Sequence, residues 1–84
     1  MIPLDPAKTR KYQSLRTGRM EVWEAASADG KWSFRRLEDT GTPWEVVHED
    51  FPGWSMLAGS LAKARKYAEA QLRLDLDALA RGVV

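Results

Sequence analysis

Phe51-Pro52-Gly53-Trp54, then Ser55-Met56-Leu57-Ala58, then Gly59-Ser60-Leu61-Ala62-Lys63-Ala64-Arg65-Lys66-Tyr67-Ala68 is the stretch whose reading decides the fold. The Pro-Gly pair marks a corner, since proline fixes φ and glycine accepts positive φ. Ser60 suits the N-cap of a following helix. Leu61, Ala64, Ala68, Leu72, Leu76 and Leu79 then recur every three or four residues, which places them on one face of a helix from Ser60 to about Arg81. Lys63, Lys66, Glu69, Arg73 and Asp77 fill the other faces, and Gly82 is placed as a stop. Such a helix measures roughly 30 Å, against about 23 Å for a seven-residue strand. Its last turns, Leu74 to Leu79, are therefore expected to overhang a sheet.

That sheet is legible upstream. Met20 to Ser27 is strand-like, and Asp29-Gly30 readily takes the positive φ that a tight hairpin needs. Lys31 to Leu37 alternates, with Trp32, Phe34 and Arg36 on one face and Ser33, Arg35 and Leu37 on the other. Glu38-Asp39-Thr40-Gly41-Thr42 has turn composition. Pro43 to Glu49 alternates again, with Trp44, Val46 and His48 opposite Glu45, Val47 and Glu49. Trp54 to Leu57 reads as a short fourth strand or an extended lead into the helix. Before all this, Asp5-Pro6 is a plausible helix start, and Ala7, Tyr12 and Leu15 give a weak apolar stripe that Thr17-Gly18 ends. Residues 1–19 are thus expected to form a short helix or basic arm ahead of a sheet-plus-helix domain over 20–84.

The 84 residues carry no cysteine, so no disulfide or thiolate zinc site supports a core close to the smallest size that folds alone. That core must come from the aromatics, four of them tryptophan, or from a second copy of the chain; a homodimer is a live expectation. No stretch approaches membrane-spanning length, and none within Met1 to Met20 resembles a signal peptide, so a cytoplasmic, soluble protein without membrane contact is expected. Net charge is only +1, but it is unevenly laid out. Residues 1–20 hold Lys8, Arg10, Lys11, Arg16 and Arg19 against Asp5 alone, while the middle third is acidic and the helix mildly basic.

Catalytic chemistry has little to stand on. The single histidine lies in His48-Glu49-Asp50, where neighbouring strand residues point to opposite faces and two ligands make no zinc site. No glycine-rich phosphate loop, nucleophile with its base or metal-spaced cluster is present, so a non-enzyme without metal or cofactor is expected. Trp23, Trp32, Trp44 and Trp54 each fall in a different extended segment. Most such tryptophans form core, and one or two on an uncovered sheet face would offer a stacking platform.

The residues from Glu49-Asp50 through Phe51-Pro52-Gly53-Trp54 to the Ser60-Leu61 helix start resemble the HicB-type antitoxin domain. Gly30-Lys31-Trp32 and Thr42-Pro43-Trp44 resemble small strand-strand-strand-helix proteins of actinobacteria and their phages. The likeness covers roughly residues 20–81 and implies an α+β domain: an antiparallel sheet of three or four strands with one long C-terminal helix on one face. It implies a regulatory protein that binds a macromolecular partner, a toxin or a host protein; because one helix covers only one side of such a sheet, the binding surface is expected on the open sheet face. The contacts expected there are Arg35, Trp44, Glu45 and Trp54. The alternative is a nucleic-acid binder using Lys8, Arg10, Lys11, Arg16, Arg19, Arg35 and Arg36, similar to the three-stranded arm-binding domains of phage integrases.

Overall fold

Alternating large apolar and polar side chains favour extended pairing, and the two segments that alternate most cleanly occupy the inner positions of the sheet. In the computed structural model, which describes residues 1–37 and 43–82, there are five strands. They are β1 (Arg10–Gln13), β2 (Met20–Ala26), β3 (Trp32–Arg36), β4 (Trp44–His48) and β5 (Ser55–Ala58). They pair antiparallel in the order β1-β2-β3-β4-β5, and α1 (Leu61–Ala80) packs across one face. The α+β architecture is the expected one, with five strands in place of three or four.

Two segments account for the difference. Ser55–Ala58 pairs along β4 and is a full edge strand, and Arg10–Gln13, expected in a helix or arm, pairs with β2. Only Pro6–Lys8 winds, as a single 3-10 turn capped by Asp5, whose carboxylate accepts the Ala7 amide at 2.9 Å. Helices shorter than about 12 residues are marginal in water, and pairing with β2 satisfies the backbone of residues 10–13 without one. The turn expected at Glu38 to Thr42 lies outside the described residues.

The register fixes which side chains meet. Phe34 stands opposite Ala25 on β2 and Val46 on β4, and Val46 stands opposite Met56 on β5. Phe34 and Val46 are fully buried, with Trp32, Trp44 and Ala25 beside them and Ala64, Ala68 and Leu72 of α1 above. Ile2 is also core: its amide donates to the Arg65 carbonyl at 3.3 Å, and Arg65 Nε donates back to the Ile2 carbonyl at 2.9 Å. The first residues are therefore structural, and removing 1–19 would take away a core side chain and a strand.

The Ala28–Lys31 turn follows its sequence chemistry. Gly30 has φ of 76°, and the Asp29 carboxylate accepts from the Ser27 hydroxyl and the Lys31 amide, which hold its carboxyl below the ordinary range. At the same end the Phe51–Trp54 corner rises beneath the end of α1. Trp54 Nε1 donates to Asp75 Oδ2 at 2.8 Å, and the indole meets Trp32 edge-on at 6.0 Å. Leu76 packs into the core, whereas Leu74 and Leu79 stay exposed on the overhanging turns. Trp54→Phe keeps a ring and removes the N–H; because Asp75 retains the Gln71 amide at 2.9 Å, the expected cost is about 1 kcal/mol in urea denaturation.

The molecule is long for its size. It measures 48 × 24 × 20 Å with a radius of gyration of 13.9 Å, against roughly 12 Å for a compact chain of this length. At one end α1 overshoots the sheet. At the other, β1 and β2 continue past the end of β3: β2 pairs with β3 only over Glu24 to Ala26, while its pairing with β1 runs on to Met20.

Candidate functional site

Two surfaces answer to the sequence-level expectations. The first is the sheet face away from α1. One row of cross-strand partners crosses it: Arg10 opposite Glu24, Glu24 opposite Arg35, Arg35 opposite Glu45, and Glu45 opposite Leu57. Charge alternates along this row from β1 to β4, and Arg10 Nε lies 3.5 Å from Glu24 Oε2. Opposite charges paired across strands contribute about 0.2–1 kcal/mol each. The row neutralises itself, so it offers a partner no net charge.

Arg35 and Glu45 thus face each other on the open side, as the alternation requires. Trp44 does not join them. It shares the parity of Val46, lies under α1 and is only 5% exposed. Trp54 precedes β5 and is half-buried beside Asp75, and Trp32 is core. Trp23 falls where the β1–β2 register slips, since Arg10 pairs with Glu24 and Lys11 with Val22, which leaves Trp23 unopposed and half-buried. The stacking platform expected of the tryptophans is not on this face; its exposed apolar side chains include Val47 and Leu57.

The second surface is the β1–β2 hairpin. Its base is braced by Arg36, whose Nη1 meets Glu21 Oε2 at 3.0 Å and whose guanidinium carbon lies 5.8 Å from the centre of the Tyr12 ring. With its side chain 8% exposed, Arg36 holds the hairpin to β3 and presents little charge to a ligand. Lys11 lies one rung before that brace, opposite Val22, and Arg16 and Arg19 lie beyond it; all three are exposed, and residues 11–20 hold no acidic side chain.

The tip is built around Ser14, which is buried. Its amide donates to the Arg19 carbonyl at 2.9 Å and its carbonyl accepts the Gly18 amide at 2.8 Å. Its hydroxyl accepts the amides of Arg16 at 3.2 Å and Thr17 at 3.4 Å. Gln13 Nε2 adds a bond to the Gly18 carbonyl at 3.2 Å, and Gly18 takes φ of 72°, a value that few other residues adopt. This closed network fixes the loop and turns Leu15 outward, 100% exposed, while Met20, opposite Gln13, is 63% exposed.

The alternative cation set is therefore split. Lys11, Arg16 and Arg19 share the hairpin, Arg10 and Arg35 sit in the neutral row, Arg36 is the brace, and Lys8 lies beside Gly30 at the far turn. Leu15 and Met20 were not singled out as surface residues: Leu15 fits a helical stripe in the sequence, and only the strand state of residues 10–13 moves it to a tip.

His48 has a structural occupation. Its Nδ1 accepts the Asp50 amide at 3.1 Å, and its ring packs edge-on against Trp32 at 4.5 Å and beside Phe51 at 5.2 Å. Among the described residues no group of three or more His, Cys, Asp or Glu could hold a metal ion, and no helix is long and apolar enough to cross a membrane.

Compared with protein-family models, with curated proteins and with solved structures, the chain matches none.

Proposed function

We propose that this protein is a non-catalytic binding module for duplex DNA and that the β1–β2 hairpin is its contact element. The observation that carries the reading is the hairpin itself: a braced two-stranded ribbon projecting past β3, with Lys11, Arg16 and Arg19 exposed and no carboxylate between Lys11 and Met20. A ribbon of this width fits the major groove of B-DNA, about 12 Å across, whereas the major groove of A-form RNA is too narrow to admit it. Single strands are bound on aromatic platforms, and here Trp32 and Trp44 are core while Trp23 and Trp54 are half-buried. A DNA ligand agrees with the cytoplasmic location expected from the sequence.

Salt dependence tests it. Each phosphate contact contributes roughly 0.9 to the slope of log affinity against log salt, so three cations give a slope of about −2.7. Between 50 and 200 mM salt the expected loss of affinity for a 20-base-pair duplex is then about 40-fold. Absence of binding at 50 mM, or affinity flat with salt, removes this reading.

A second reading is supported by Val47 and Leu57, two exposed apolar side chains on the open face. There the module takes a protein partner across Arg35 and Glu45, two of the contacts expected from the sequence, with Leu57 of β5 beside Glu45. Such an interface is apolar at its centre and charge-balanced around it, so its affinity changes little with salt.

A further inference from the structure

Leu15 is fully exposed, yet the tip that carries it is held by hydrogen bonds from both the backbone and the hydroxyl of Ser14. A lone exposed leucine needs no explanation. A leucine held outward by a buried serine, flanked by Arg16 and Arg19 and followed by exposed Met20, has the makings of an insertion device. Resting on the DNA-binding reading above, we infer that the hairpin tip bends the duplex, with Leu15 entering between adjacent base pairs.

The chemistry matches at each point. Opening a base step costs a few kcal/mol, which an apolar side chain offsets by filling the gap and leaving water. The inserted side chain must not fold back, and the Ser14 and Gly18 bonds hold the loop in one shape before contact. Cations must stand on either side of the opened step to meet the two phosphate strands. Arg16 directly follows Leu15, and Arg19 lies across the loop, its carbonyl bonded to the Ser14 amide. Duplex steps of low stacking energy, such as TA, are the favoured sites.

The test uses the intact chain and a 30-base-pair duplex containing a central TA step and a fluorophore at each end. Wild-type protein is expected to bind at 50 mM salt and to raise energy transfer between the ends, as a bend toward the upper part of the roughly 20–90° range of wedge-inserting proteins does. Leu15→Ala is expected to retain salt-dependent binding within about tenfold and to return energy transfer to that of free DNA. Leu15→Met is expected to keep the bend. Leu15 touches nothing in the fold at 100% exposure, so both variants should melt like wild type. Binding without a bend, or a bend that survives Leu15→Ala, overturns the insertion and leaves DNA binding standing. Failure of the wild type to bind removes both. Leu15-dependent binding to phosphatidylserine vesicles in place of DNA assigns the tip to a membrane surface and also overturns the inference.

Discussion

Phe34→Ala is expected to bring the protein to the edge of unfolding at room temperature. Phe34 is 0% exposed on the central strand, between Ala25 and Val46 and beneath Ala64 and Ala68. Removing a buried phenylalanine costs about 3–5 kcal/mol, the lost transfer energy plus the cavity left behind. An 84-residue domain without disulfides has a total stability of about 4–13 kcal/mol, so the change removes much of it. The melting temperature should drop by roughly 15–30 °C. Leu57→Ala makes the contrast: 60% exposed on the open face, it should change stability by no more than about 0.5 kcal/mol. Equal losses at the two positions would contradict a core that lies on the α1 side of the sheet alone.

The second large effect concerns binding. Replacing Lys11, Arg16 and Arg19 together with glutamine is expected to weaken duplex binding at least about a hundredfold at 50 mM salt and to flatten the salt slope toward zero. The three side chains are exposed, and the Arg36–Glu21 brace, the Ser14 network and the core remain intact. Stability should therefore stay within about 0.5 kcal/mol of wild type, which separates loss of contact from loss of fold. The matching control neutralises Arg35 and Glu45 together: it disturbs the open face, leaves the hairpin charge untouched and should barely change DNA affinity. If this control abolishes binding while the hairpin variant does not, the contact lies on the sheet face.

The elements that were legible share a physical reason. The helix announced itself through its three- and four-residue apolar spacing and the Ser60 cap, whose hydroxyl accepts the Lys63 amide at 3.1 Å. β3 and β4 were legible because alternation along a strand maps directly onto its two faces, and Arg35 and Glu45 emerged opposite each other for the same reason. The edge strands were harder. Residues 10–13 carry three polar or charged side chains and one tyrosine, a composition that helix, arm and edge strand share, and only long-range pairing with β2 decides among them. The tryptophans misled for a related reason: indole fits a core and a platform equally well, and parity with Val46 together with the reach of α1 put Trp44 inside. The hairpin site was legible only as a run of positive charge. Its tip geometry depends on Ser14 being buried, and burial of one serine leaves no periodic trace in the sequence.

The most direct measurement is a residue-by-residue map of backbone amide shifts as a short B-form duplex is added to the labelled protein in low salt. Changes concentrated at residues 11–20, with Leu15, Arg16 and Arg19 most affected and Ser33, Val47 and Leu57 still, are the expected result. Changes centred on the open sheet face with a silent hairpin would contradict it.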